Sequence, residues 1–169
     1  MRAPVKNGEH IARLALDLVK PRFALPLSSP YHGIKHWVRV WNNARMICDA
    51  HGIPDTVPCW FAFLHDSCRE NEDSDPAHGQ RAADWAQQLW EAGKIPITPG
   101  QLNQLTTALS RHSHGTTAVH WYGSTVAACW DADRLDLGRC GIYPTASRLC
   151  LPWSKGERVI SDAWYRSRQ

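Results

Sequence analysis

Residues 57–68 read VPCWFAFLHDSC. The first eight, Val57 to Leu64, carry no charged or amide side chain, so a helix made from them is apolar around nearly its whole circumference. Such a helix has no face to give to water, and other elements must enclose it. The neighbouring segments read as helices suited to that task. Ile34, Trp37, Val38, Trp41, Ala44 and Cys48 recur at intervals of three and four, as do Ile11, Leu14, Ala15 and Leu18. No segment of useful length alternates apolar and polar residues as a half-buried strand does. The expected fold is therefore all-α, a compact bundle of five to seven helices. At 169 residues the chain suits a single domain spanning 1–169, able to bury roughly 70% of the surface it exposes when unfolded.

Capping and breaking residues set the expected boundaries. Asn7 caps a first helix reaching about Lys20, and a Pro/Ser-rich connection follows over 21–30. Ser29-Pro30 signals a second helix, delayed by Gly33 and stopped at His51 by Gly52-Ile53-Pro54. The apolar helix covers 57–68, and a polar, acidic loop covers 69–75. Asp75-Pro76 opens a helix to about Ala92, and Thr98-Pro99 opens another to about Arg111. A histidine-rich loop over 112–120 leads to a helix over 124–138. The tail is loop with a short final helix near 157–165.

The net charge of +3, from basic residues scattered along the chain, gives no strong nucleic-acid signal. No apolar run has the length to span a bilayer, and Met1 to Lys6 lead into an amphipathic segment instead of an export leader. The six cysteines show no C-x-x-C spacing. They read as reduced, mostly buried thiols of a cytoplasmic protein. The nine histidines are more informative, because they cluster at motif-like spacings.

Three groups of polar residues stand where apolar ones belong. His65-Asp66 ends the apolar helix, and a carboxylate beside Phe63 and Leu64 must be paired or lose several kcal/mol to desolvation. Asp133 interrupts the stripe Val126, Cys129, Trp130, Leu137, so it is neutralised, bound to a cation, or paired with Arg39, Arg69 or Arg81. Asp131 lies roughly 200° around that helix from Asp133, whereas Asp136 falls nearly on its face and can orient a ligand. His36 lies in the second helix, and His32 shares its face only if the helix already exists there. Two imidazoles and two carboxylates suit a divalent ion such as Mn, Mg, Fe, Co, Ni or Zn.

In order along the chain, His36-x-x-Arg39-Val40, Leu64-His65-Asp66 and Asp131-Ala132-Asp133-Arg134-Leu135 resemble the three motifs of the HD-domain phosphohydrolases. The resemblance covers about residues 30–143, leaving 144–169 as a tail. It implies an HD-domain-like helical fold and a metal held by His36, His65, Asp66 and Asp133. It also implies hydrolysis of a phosphate ester, most commonly in a nucleotide. Members with more than one ion add histidines between the doublet and the last aspartate, which makes His78 and His112 candidates for a second ion, with His32 and His114 as metal or substrate contacts. Arg69 and Arg81 are the candidate phosphate-binding residues. Asp131, Asp136 or His114 could manage a proton, alongside Asp66 at the metal. Trp37, Trp41 and Tyr143 are core residues or stacking partners for a base. Two rival readings remain: an HD-type di-iron oxygenase and a nucleotide-sensing module without turnover. Partners are expected to be small phosphorylated molecules, with self-association open.

Overall fold

The computed structural model describes residues 7–169; residues 1–6 and the side chain of Asn7 lie outside that description, and with them the expected Asn7 cap. Seven α-helices appear in the order α1 (Asn7–Val19), α2 (Ile34–His51), α3 (Thr56–Leu64), α4 (His78–Glu91), α5 (Pro99–Arg111), α6 (Val119–Arg134) and α7 (Glu157–Ser167). Short 3-10 turns occur at 112–114, 137–140, 146–148 and 153–155. Among the described residues there is no strand, so the fold is all-α, and no helix is long and apolar enough to cross a membrane.

The apolar helix α3 is the centre. Every residue from Val57 to Leu64 is buried, and α1, α2, α5 and α6 pack around it. Burying this many large side chains, at about 1.5–3 kcal/mol each, makes α3 the element that the rest must enclose. α4 packs on α5, and α7 lies against α2 and the turn at 137–140. All six cysteines are free thiols, five of them buried and Cys140 exposed.

The boundaries bear out most of the capping signals. Gly52 ends α2 with φ 63°, a conformation that favours glycine. Thr98 and Gln101 form a reciprocal capping box ahead of α5, with Pro99 in its first turn. Gly33 does delay α2 to Ile34, because Ser29 folds the preceding chain into a turn, its Oγ accepting from the amides of Tyr31 and His32 at 3.2 and 3.1 Å. His32 is therefore not on the helix of His36. Three boundaries differ from expectation. α3 stops at Leu64, since after the His65 amide the hydrogen bonds shorten to three-residue steps (Ser67 to Leu64, Arg69 to Asp66). Asp75-Pro76 forms a turn and α4 begins at His78, because the Asp75 carboxylate is engaged by the Glu70 amide and Arg81. α6 starts at Val119 but breaks at Gly123, φ 81°, so its regular part begins at Ser124, and it ends at Arg134.

Candidate metal centre

α2 and the end of α3 bring His36 and His65 together at the centre of the bundle, both fully buried. The Nδ1–H of His36 donates to Asp136 Oδ2 at 2.7 Å. That of His65 donates to the Ala62 carbonyl at 3.1 Å, and its ring stacks on Phe61. A carboxylate or a carbonyl only accepts, so each neutral ring turns an unprotonated Nε2 inward. The two Nε2 atoms lie 2.9 Å apart. Two nitrogen lone pairs at that distance repel unless a proton or a metal ion lies between them.

The same device recurs beside it. His78, at the start of α4, donates from Nδ1 to the Asp75 carbonyl, and His112, just after α5, donates to the Leu109 carbonyl at 2.7 Å. Their Nε2 atoms face each other at 2.8 Å. Gly79 permits this approach of α4 to α5. A Cβ there would stand 2.6 Å from the Leu109 carbonyl oxygen and 3.2 Å from the His112 ring.

Asp66, 2% exposed, lies between the two pairs with one oxygen for each. Oδ2 is 3.5 and 3.3 Å from Nε2 of His36 and His65, and Oδ1 is 3.3 and 3.9 Å from Nε2 of His78 and His112. Asp133 joins the first pair at slightly greater separation, its Oδ1 3.5 Å from His36 and 3.7 Å from His65. Donors sharing an ion at about 2.1 Å stand roughly 3.0–3.4 Å apart, close to these spacings. Asp66 Oδ2 and Asp133 Oδ1 are buried without a hydrogen-bond partner, as oxygens reserved for a cation would be. Two buried groups, His36/His65/Asp66 and Asp66/His78/His112, could thus each hold a metal ion.

The electrostatics separate the two pairs. Burial alone would raise the pKa of Asp66, but His65 and His36 outweigh it and hold the carboxyl well below its usual range. Burial likewise works against Asp133, and Arg139 with the nearby imidazoles lowers it. Burial lowers His65, yet Asp66 and Asp133 raise it overall, so without metal a proton on His65 can relieve the first pair. His112 has no such relief: burial and then His65 push it down to about 4. His78 is lowered too, chiefly by burial against the pull of Asp66. Both shifts disfavour a shared proton in the second pair.

Both groups open onto one cavity of about 280 Å³. Four arginines, Arg69, Arg134, Arg139 and Arg148, share its walls with Asp66 and Asp133. Arg69 donates to Asp66 Oδ1 at 3.2 Å. Arg139 places Nη2 3.6 Å from Asp133 Oδ1 and anchors the turn before α2 by donating to the Tyr31 carbonyl at 2.6 Å. His32 also lines the cavity, with Nδ1 2.6 Å from Glu72 Oε2.

The expected residues divide clearly. His36, His65, Asp66 and Asp133 converge, as do His78 and His112. Asp136 accepts from His36 Nδ1 and from Arg39 Nε at 2.6 Å, so it orients the His36 ring and lies off the cavity walls. Asp131 does not belong to the site: its two oxygens accept the amides of Cys150 and Leu151 at 2.7 and 2.8 Å, which pins the tail to α6. Arg81 is also outside, held by the Cys68 carbonyl and Asp75. His114 is exposed and lines no part of the cavity. Trp37 is core, edge-on to Phe23. Arg39, Arg69 and Arg81 do not pair with Asp133; the neighbour is Arg139, which sequence reasoning missed, together with Arg148 and the His32–Glu72 pair. Each sits in a turn or tail without periodicity to mark it.

No family model, curated protein or solved structure matches this chain.

Proposed function

We propose that this chain is a metal-dependent hydrolase of phosphate esters, of the kind its HD-like motifs imply, working with two divalent ions that share Asp66. The observation that carries the reading is the cavity in which four arginines surround a buried carboxylate flanked by two imidazole pairs. Carboxylates and unprotonated imidazoles suit the cations, while guanidinium groups suit a phosphate dianion.

Bound ions would lower the pKa of a coordinated water from about 15.7 towards about 7 and polarise a phosphoryl oxygen. The chain's own groups do the rest. His36, His65 and Asp133 complete the first ion's donor set, and His78 and His112 the second's, with Asp66 common to both. Arg139 and Arg69 carry fixed positive charge against the phosphoryl oxygens as negative charge builds there. As water adds to phosphorus and the ester P–O bond breaks, the leaving oxygen needs a proton. Solvent in the cavity supplies it, because His32, whose Nδ1–H donates to Glu72 and whose pKa burial lowers, is neutral, with an unprotonated Nε2 that takes the proton given up by the attacking water.

The test is metal analysis of protein purified without chelator, followed by ester hydrolysis across a panel of nucleotides, phosphodiesters and alkyl and aryl phosphates with Mn, Mg, Co, Ni or Fe. Metal-dependent release is expected; none under any ion would refute the proposal. Four imidazoles around one shared carboxylate also favour a di-iron oxygenase. That reading would prevail if anaerobically prepared protein held two irons and consumed oxygen while releasing no phosphate.

A further inference from the structure

A second cavity, of about 410 Å³, adjoins the first. The two share Arg134, Leu137 and Arg148 as common wall. Their chemistry differs sharply. The first is lined by titratable and cationic groups, whereas Leu137, Ile142, Tyr143, Pro144 and Leu149 make the second largely apolar. Ile142 and Tyr143 are 53% and 50% exposed, and one side of the Tyr143 ring lies against Trp164 of α7, with centroids 5.3 Å apart. Thr145 carries the one hydroxyl on these walls besides the Tyr143 phenol.

Arg134 sits at the junction. Its guanidinium is 5.7 Å from the Trp130 ring, and Nη1 donates to the Arg148 carbonyl at 3.0 Å. Nη2 is buried with no hydrogen-bond partner, in a residue only 8% exposed. A buried guanidinium N–H left unpaired is unfavourable, and an anion in the adjoining cavity would satisfy it. The phosphate side of the junction is therefore built, and what lies beyond it is apolar.

We infer that the substrate is a phosphate ester of an apolar, ring-bearing alcohol, with the phosphate against the arginines and the ring in the trough of Leu137, Ile142, Tyr143, Pro144 and Leu149. The inference rests on the phosphate-ester reading above. The trough begins directly at the arginines, so the ring lies next to the phosphate instead of beyond a long polar spacer. With one threonine and one phenol on its walls, the trough recognises shape and apolar surface and has little means of reading a hydrogen-bonding pattern.

Phenylphosphonate and methylphosphonate test this without turnover, since neither has an ester bond to break. Binding to the Mn-loaded protein, measured by calorimetry, should favour phenylphosphonate by at least about tenfold, the scale of discrimination an apolar pocket gives. Ile142→Ser combined with Tyr143→Ser, at two half-exposed positions, should bring the ratio close to one. Equal binding of the two phosphonates by the unaltered protein would overturn the inference, as would a ratio that survives the double substitution. The two readings fail separately. Phenyl selectivity without phosphate release from any ester would sink the hydrolase and leave the subsite. Release from phenyl and methyl phosphate with equal kcat/KM would sink the subsite and leave the hydrolase.

Discussion

Asp66→Asn should empty both metal groups at once. The substitution keeps the side chain's volume and removes its charge, so the cradle keeps its shape. Because Asp66 offers Oδ2 to His36 and His65 and Oδ1 to His78 and His112, the lost charge is felt on both sides. Two unit charges at about 4 Å with an effective dielectric of about 20 interact by about 4 kcal/mol. At 1.4 kcal/mol per factor of ten, each group should lose roughly a thousandfold in affinity. Asp133→Asn is the informative comparison, since Asp133 Oδ1 approaches only the His36–His65 pair among the imidazole ion-pair contacts. It should weaken the first group and spare the second. Equilibrium dialysis against Mn with metal counting would read two ions for the unaltered protein, none for Asp66→Asn and one for Asp133→Asn, with circular dichroism checking that each remains helical. A single ion retained by Asp66→Asn at unaltered affinity would refute the shared-carboxylate reasoning.

Four further outcomes follow from the geometry. Gly79→Ala, whose Cβ would meet the Leu109 carbonyl at 2.6 Å, should push α4 from α5 and lose the second ion while keeping the first, again by metal counting. Asp131→Ala should leave metal content intact but lower stability by roughly 2–5 kcal/mol in urea titration, because two buried amides lose their acceptor. His32→Gln, which removes the acceptor for the attacking water's proton, should reduce kcat by about 10²–10⁴ for alkyl and nitrophenyl esters alike, read from ester hydrolysis. In chelator-treated protein, His112 titrates near 4 when folded against about 6.5 unfolded. The unfolded chain binds the extra proton between those values, so stability should fall by about 3 kcal/mol as pH drops from about 6.5 to about 4. Asp66 and Asp133, both depressed, add a loss at still lower pH, and raised His65 opposes the trend only above its unfolded value. His78 and His32, also lowered by burial, add to that slope, so His112→Gln should reduce it without abolishing it in denaturant titrations at pH 7 and pH 5.

The legible parts of this molecule are those governed by local periodicity. An all-apolar α3 declares its own centrality, and Asp133 betrays itself by interrupting a stripe. Thr98-Pro99 with Gln101 carries a complete start signal in four residues. Where the outcome depended on distant chain, the sequence was silent. Asp131 reads as an active carboxylate until the tail returns 19 residues later to claim both its oxygens. Arg139 follows the helix end with nothing to mark it, yet its side chain is only 7% exposed between Asp133, Asp136 and Tyr31. His32 and Glu72 meet across 40 residues, a separation no helical or strand repeat encodes. The partition between a pair of imidazoles that a proton can relieve and one that it cannot is a matter of burial, visible only once the bundle is assembled.

One carboxylate shared between two proposed cation sites would also keep them from loading independently. Whichever ion arrives first takes most of the benefit of the negative charge on Asp66, and the other meets a group already largely neutralised. The two dissociation constants would therefore lie apart, leaving a span of metal concentration in which the protein would be half filled. Over that span, any activity that requires the complete pair would rise and fall with the supply of free metal.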